Sequence, residues 1–328
     1  MMRFFSSSLI VSWVLWGAFA NAAWYEDSQS IMGTRIHAEL WSEDEAVAEG
    51  VLASIMAEMQ RVEDAYSPYL AESELSRLNE RAGSGWVDVS AELFELLEKS
   101  RYASQITGGA FDITYASVGR YYDYRKGTRP DDELVAAAIK AINYRYVELD
   151  ANTRSVRFAQ PEVYVDLGGI AKGYAVDRCI EIMLDAGIEQ GSVSAGGDSR
   201  ILGDRRGKPW TVGVRDPRRE GVMVAILPLT DTAVSTSGDY ERFFDEDGVR
   251  YHHILDPSTG KPARDSWSVT ILGAETAFTD ALSTSVFVLG PDKGLELVNR
   301  LPGIDAIIVD AQGQLRYSAQ LAELAPFD

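Results

Sequence analysis

Asp166-Leu167-Gly168-Gly169-Ile170-Ala171-Lys172-Gly173 brings a carboxylate, three glycines and a lysine together at a predicted junction between a strand and a helix. Backbone N–H groups at the start of a helix attract anions, and glycines let a ligand approach the main chain closely. Lys172 adds a positive charge to this arrangement. The stretch therefore predicts a binding site for a phosphate group at the point where a strand leads into a helix.

The overall charge of the chain limits how such a ligand could bind. The sequence contains 50 Asp and Glu residues against 31 Lys and Arg residues, which gives a formal net charge of −19 at pH 7. A polyphosphate would approach against a repulsive field unless a metal cation accompanied it. Nucleic acid is not expected as a partner, since no run of five basic residues is present.

The first 22 residues predict a cleavable export signal. Arg3 precedes an apolar run from Leu9 to Ala20, and Ala20-Asn21-Ala22 fits an A-x-A cleavage site. The alternative is a membrane anchor, but a spanning helix needs about 20 apolar residues and this run is shorter. No later segment has the length of a membrane span. We therefore expect residues 23–328 to form one domain in the bacterial periplasm.

Hydrophobic periodicity and turn residues predict a mixed α/β fold of two closely joined lobes with largely antiparallel sheets and flanking helices. The predicted helices are Glu43–Asp64, Glu92–Gln105, Pro130–Ile142, Ile170–Ala186, Thr279–Val288 and Asp292–Asn299. The predicted strands are Met32–Trp41, Tyr146–Leu149, Val156–Phe158, Val163–Val165, Gly191–Ser194, Trp210–Val214, Met223–Pro228, Thr232–Ser235, Arg250–Leu255, Val269–Leu272, Ile304–Val309 and Leu315–Tyr317. The single cysteine, Cys179, falls in an apolar helical stripe and is expected to be buried and inert.

A second candidate feature is the pair Asp280 and Thr284, which are four residues apart in a predicted helix. Residues at this spacing share a helix face, and a carboxylate with a hydroxyl suits a hard cation such as Mg2+. The alternative is an ordinary helix start, in which Thr279 is the N-cap and Asp280 lies in the first turn.

The adjacent histidines His252 and His253 lie in a predicted strand, where neighbouring side chains point to opposite faces. One of them could act as a general base, although a strand histidine can also be structural. With His37 as the third histidine, the sequence lacks the spacing of a zinc site. Two further segments, Asp256–Gly260 and Ser194–Asp198, are typical of tight turns. The second could instead be a place where a ligand touches the main chain. None of the glycine-rich stretches matches a Rossmann fingerprint or a P-loop.

Together these segments resemble the ApbE family of FAD:protein FMN transferases, over nearly the whole chain after residue 22. The motifs that carry the resemblance are Met32-Gly33-Thr34, Tyr69 ahead of Ser73–Asn79, Gly109–Thr114, Asp166–Gly173, Ala195–Asp198, Ser235–Tyr240, His253–Gly260 and Thr279-Asp280-Ala281.

The resemblance implies a set of site residues. FAD contacts are implied for Met32, Tyr69, Ala110, Phe111, Asp112, Asp166, Lys172 and Ile254. Mg2+ is implied on Asp280, Thr284 and the main-chain carbonyl of Gly169, and His253 matches the histidine that serves as base. The chain departs from the family where Ile113 replaces a common proline and Tyr121-Tyr122 a frequent tryptophan. It also lacks the lipoprotein cysteine at the cleavage site, which predicts a freely soluble exported form.

The function that the resemblance implies is Mg2+-dependent transfer of FMN from FAD to a threonine of a flavoprotein, such as an Nqr or Rnf subunit, with release of AMP. Two alternatives remain open from the sequence. One is an Mg2+-dependent FAD pyrophosphatase, in which water replaces the threonine. The other is a flavin-binding maturation factor without turnover.

Overall fold

The computed structural model describes residues 22–324. Its strands are β1 (Ala23–Ile31), β2 (Thr34–Ser42), β3 (Val87–Asp88), β4 (Val147–Asp150), β5 (Ser155–Phe158), β6 (Gly191–Ala195), β7 (Asp198–Leu202), β8 (Trp210–Arg215), β9 (Met223–Leu229), β10 (Ala233–Gly238), β11 (Phe243–Glu246), β12 (Val249–His252), β13 (Leu255–Asp256), β14 (Lys261–Pro262), β15 (Ser266–Gly273), β16 (Asp305–Asp310) and β17 (Leu315–Tyr317).

The helices are α1 (Glu45–Tyr66), α2 (Glu74–Arg81), α3 (Ala91–Ile106), α4 (Ala116–Gly119), α5 (Asp132–Ala138), α6 (Ala171–Asp185), α7 (Thr276–Val298) and α8 (Ala319–Leu324). Within α7, Gly290 has a φ of 75° and Pro291 follows it, so the element consists of two helical segments joined at a kink. The sequence predicted this interruption as two separate helices. Among the described residues, no helix has both the length and the apolar character needed to cross a membrane.

An eight-stranded sheet forms the centre of the molecule, in the order β1-β2-β6-β7-β10-β15-β16-β17. Every neighbouring pair in it is antiparallel. Smaller antiparallel sheets are formed by β3-β5-β4, β8-β9, β11-β12 and β13-β14. The mixed α/β fold with largely antiparallel sheets is therefore confirmed.

Two apolar cores lie against the central sheet. The larger core contains the buried faces of α1 and α6 together with β2 and β6. The second core joins both segments of α7 to β15 and β16. Helix α6 packs against both α1 and α7, and Cys179 on α6 is buried, as expected. Burial also raises the pKa of the Cys179 thiol, which keeps it protonated and inert.

Two strand predictions were wrong, each for a local reason. Residues Val163–Val165 form no strand, because side chains replace the partner strand: Asn79 accepts from Val165 N at 2.8 Å and donates to Val165 O at 2.9 Å. The predicted strand Arg250–Leu255 breaks after His252. At the break, His253 N donates to Arg242 O at 3.1 Å, and a separate short strand begins at Leu255.

Candidate functional site

The site lies where the N-terminal ends of α6 and α7 meet. The backbone of α6 approaches α7 so closely that a Cβ built on Gly173 would lie 2.3 Å from Thr276 O. Only glycine fits this position. The Gly173 N–H donates to Asp280 Oδ2 at 3.1 Å, so the second helix supplies the acceptor for the first turn of α6. The glycine-rich stretch is thus a helix start, as predicted, although an extended segment rather than a strand precedes it.

Lys172 lies between two buried carboxylates. Its Nζ is 2.8 Å from Asp198 Oδ2 and 3.4 Å from Asp280 Oδ2, and it also donates to Gly168 O at 3.2 Å. Burial alone would lower the pKa of Lys172, but the two carboxylates raise it, so its charge is held. Burial and the charge of Asp198 raise the pKa of Asp280. Two carboxylates against one ammonium leave this cluster with an excess of negative charge.

The three implied metal ligands lie together beside this cluster. A Cβ built on Gly169 would lie 3.4 Å from Thr284 Oγ1, so the loop and the α7 hydroxyl are neighbours. Within residues 22–324, no donor bonds to Gly169 O, because the Gly173 N–H that would reach it in a regular helix is bound to Asp280 instead. The described hydrogen bonds of the Asp280 side chain all involve Oδ2, which leaves Oδ1 available. A carboxylate, a hydroxyl and a free carbonyl are the oxygen ligands that Mg2+ prefers.

Helix α7 begins earlier than the sequence suggested. Its first residue is Thr276, so the interpretation of Thr279 as N-cap and Asp280 as a first-turn residue is wrong. Asp177 of α6 caps the helix instead, since its Oδ1 accepts from Thr276 N and its Oδ2 accepts from Ala277 N, both at 2.8 Å. An ordinary helix start therefore does not explain Asp280, which is 3 % exposed and faces α6.

The two histidines have different environments. His252 is buried, donates from Nε2 to Ala263 O at 2.7 Å and accepts from Ile254 N at 3.3 Å, which makes it a neutral structural residue. Among the described residues, the buried Nδ1 of His253 has no hydrogen-bond partner. Burial, followed by the charges of Arg242, His252 and Lys172, lowers the pKa of His253 to about 3. His253 is thus a neutral imidazole with an unused nitrogen.

Two of the implied FAD contacts lie on loops. Met32 and Gly33 form the two-residue turn between β1 and β2, with φ angles of 55° and 68°. A positive φ is unusual for methionine, and such positions occur at functional sites. Tyr69 is 85 % exposed on a loop beside the segment that leads to Asp166, since Tyr164 donates to Pro68 O at 3.5 Å.

The remaining implied contacts are more enclosed. Phe111 is buried, and its Cε2 lies 3.2 Å from the Cβ position built on Gly169. Both oxygens of Asp112 already accept hydrogen bonds, one from Thr114 and the other from Tyr144 N at 2.7 Å, so the Asp112 side chain is fixed in place. Asp166 accepts from Gly168 N at 2.6 Å. Ile254 is buried in the second core.

Three residues near the site were missed by sequence reasoning, because their roles depend on tertiary contacts. Asp177 caps α7, and Arg242 lies beside His253 and Gly33. Asp198 belongs to a family-like segment that was interpreted as a turn or as a place where a ligand touches the main chain, and its side chain was given no role. That turn is confirmed at Gly196-Gly197, but the carboxylate that follows it is the partner of Lys172.

Comparison with known proteins gives concordant results. A model described as "ApbE family" matches residues 32–308. A FAD:protein FMN transferase of Treponema pallidum is 32% identical over 326 residues, covering 94% of this chain and 90% of that protein. One from Klebsiella pneumoniae is 32% identical over 309 residues, covering 93% of this chain and 95% of that protein.

Solved structures agree with these sequence relatives. The ApbE protein of Thermotoga maritima superposes with a TM-score of 0.86 at 35% identity, covering 93% of this chain and 100% of that one. The flavin transferase ApbE of Vibrio cholerae gives a TM-score of 0.82 at 29% identity, covering 92% and 99%.

Proposed function

Because this chain belongs to the ApbE family, we propose that it transfers the FMN part of FAD to a threonine hydroxyl of a target flavoprotein, with Mg2+ as cofactor. The relatives are named FAD:protein FMN transferases, so the chain is a flavin transferase enzyme. The target is an exported flavoprotein subunit related to those of Nqr or Rnf complexes. The observation that supports the metal-dependent chemistry is the convergence of residues Gly169, Asp280 and Thr284 where α6 meets α7.

In the proposed reaction, the threonine oxygen of the target attacks the phosphorus of the FMN half of FAD. A new P–O bond forms to threonine, the bond between this phosphorus and the bridging oxygen breaks, and AMP leaves with that oxygen. Mg2+ held by Gly169, Asp280 and Thr284 would neutralise charge on the phosphate oxygens. No nucleophile is needed within the enzyme, which agrees with the inert Cys179.

His253 is proposed to accept the proton of the threonine hydroxyl. Its imidazole is neutral and its Nδ1 is without a partner in the described chain, so it has the capacity to take a proton. A pKa near 3 makes a weak base, but part of that depression comes from the nearby charge of Arg242. An anionic substrate would offset this charge and raise the pKa of His253 towards neutrality. The base would thus gain strength when substrate is bound.

A co-expression experiment tests the proposed function. The enzyme is produced together with an acceptor domain that carries the target threonine. Mass spectrometry of the acceptor then shows whether FMN is covalently attached to that threonine. Release of AMP is measured separately, with purified protein and FAD. We expect attachment with the wild type, loss of attachment with Asp280→Asn, and normal attachment with Asp292→Asn. Asp292 is a matched control, because it lies on the far segment of α7 in an exposed pair with Arg316.

The same experiment separates the alternatives. FMN and AMP appearing free in solution, with no covalent flavin on the acceptor, would establish a pyrophosphatase instead. Tight FAD binding with neither product would establish a maturation factor without turnover.

We also propose that the protein acts in the periplasm after removal of its first 22 residues. The predicted signal lies outside the described residues apart from Ala22. Strand β1 begins at Ala23, the first residue after the predicted cleavage site, and pairs with β2 from that residue onward. Cleavage at this point would leave the sheet intact, which supports the proposal.

A further inference from the structure

Arg242 occupies a position between two parts of the site. It immediately precedes β11, and its carbonyl oxygen accepts a hydrogen bond from His253 N at 3.1 Å. At the other end of the side chain, Nη2 lies 3.4 Å from the Cβ position built on Gly33, in the turn that also contains Met32. The side chain thus extends from the histidine to the hairpin turn.

The charge of Arg242 is directed at the site without being neutralised there. Burial raises the pKa of Asp166, and the positive charges of Arg242 and Lys172 oppose that rise. In the described part of the chain, however, no carboxylate oxygen comes within 4.0 Å of the Arg242 guanidinium. Lys172 differs in this respect, since it contacts both Asp198 and Asp280. Of these two cations, Arg242 is the one left for an anionic ligand.

We propose that Arg242 is a substrate-binding residue that holds the phosphate groups of FAD beside the turn formed by Met32 and Gly33. This inference rests on the proposed function for the identity of the ligand. A guanidinium presents several N–H donors in a planar fork that matches phosphate oxygens, and it remains charged at all relevant pH values. Because the buried cluster around Lys172 has excess negative charge, a diphosphate needs this second positive group in addition to a metal ion.

Equilibrium binding to a pair of flavins tests the assignment. FAD carries the diphosphate, whereas riboflavin has the same ring and no phosphate. Binding of each is followed by flavin fluorescence in buffer that contains Mg2+ and no acceptor protein, so that no FMN can be transferred. We expect Arg242→Gln to weaken FAD binding about 10- to 100-fold and to leave riboflavin binding unchanged. Arg242→Lys should give an intermediate loss, because it keeps the charge and removes the fork.

Arg219→Gln is the matched control. Arg219 is an exposed arginine that is already paired with Asp216, so its replacement makes the same charge change without affecting either flavin. Equal losses of FAD and riboflavin affinity in Arg242→Gln would show a structural role and overturn the inference, as would unchanged FAD affinity. A wild-type protein that binds FAD but transfers no FMN would overturn the proposed function and leave the role of Arg242 standing. A wild-type protein that binds no FAD would overturn both.

Discussion

At the residue scale, Lys172 shows how structure changes the meaning of a sequence motif. Next to glycines at a helix start, a lysine suggests a direct phosphate contact. In the structure its ammonium lies between Asp198 and Asp280, which are 2 % and 3 % exposed. Its first role is therefore to stabilise two buried carboxylates, because an unpaired buried charge destabilises the folded state.

Replacement of Lys172 should consequently destabilise the protein. We expect Lys172→Met to lower the free energy of unfolding by about 3 kcal/mol, measured by urea denaturation, because it leaves two carboxylates close together without a cation. The double variant Lys172→Met/Asp198→Asn should recover part of that loss. The exposed Lys208→Met is the surface control, with an expected change within about 0.5 kcal/mol. Equal stability of Lys172→Met and Lys208→Met would contradict this account.

His253 should affect the rate of transfer. We expect His253→Gln to slow FMN attachment by roughly 10²- to 10⁴-fold if the imidazole accepts the threonine proton. His37→Gln should transfer at the wild-type rate, since His37 is on β2 and contacts Ser28. Single-turnover attachment to the acceptor measures both. A His253→Gln enzyme with an undiminished rate would remove the histidine from the mechanism.

His253 should also make folding stability depend on pH. Its pKa is about 3 in the folded chain, whereas an unfolded histidine titrates near 6.5. Between these values the unfolded state binds an extra proton, so stability is lost as the pH falls from about 6.5 towards 3. We expect this residue to account for roughly 1–3 kcal/mol of the loss between pH 7 and pH 4. Urea titrations across this range should show a shallower decline for His253→Gln, and identical slopes for the two proteins would refute the prediction.

At the element scale, α6 determines where α7 begins. Asp177 binds the first N–H groups of α7, and Gly173 lets the two backbones come close enough for Asp280 to reach α6. The proposed metal ligands on α7 thus lie on a helix whose start is capped by a carboxylate from another helix. Asp177 also lies 3.5 Å from Arg200 Nη1, which ties the cap to β7.

Removal of this cap should lower the stability of the fold and the apparent affinity for Mg2+. We expect Asp177→Ala to cost about 1–2 kcal/mol in urea denaturation and to raise the Mg2+ concentration needed for half-maximal transfer. Asp131→Ala provides the comparison, because Asp131 caps α5 through Leu134 N at 2.8 Å. It should lose stability while keeping the wild-type Mg2+ requirement. If both variants shift the Mg2+ requirement equally, the positioning role of Asp177 is wrong.

The elements that the sequence predicts well are those with strong local periodicity. Helices α1, α3 and α6 lie within a few residues of their predicted ranges, because buried residues recur at helical spacing along each one. Strand β1 was missed, since its sequence AWYEDSQSI is largely polar after the first three residues and its pairing with β2 defines it. The start of α7 was misplaced for a related reason, as its cap comes from a residue distant in sequence.

The same distinction applies to the site. Asp280 and Thr284 could be paired from their spacing alone, because both lie on one helix. Only the family resemblance indicated Gly169 as a metal ligand, since the sequence does not reveal whether the carbonyl of a glycine lacks a hydrogen-bond donor. Arg242 gave no signal in the sequence, because its proposed role depends on its lack of a carboxylate partner within the described chain.

At the scale of the whole molecule, the position of β1 bears on maturation. The strand begins at Ala23, which lies opposite Ser42 of β2, so the predicted cleavage site adjoins the central sheet. We expect protein recovered from the periplasmic fraction to have a mass that corresponds to a first residue of Ala23. A mass that retains residues 1–22, or a membrane-bound product, would contradict the predicted signal cleavage.

The placement of the site between α6 and α7 has a further consequence for folding. Gly169 and Thr284 are far apart in the sequence, so their encounter closes a long loop, and we expect it to come late in folding. Ligands that bridge these helices would then stabilise contacts that are absent from the folding transition state. We therefore expect FAD and Mg2+ to slow the unfolding of the native enzyme while its refolding rate stays almost the same.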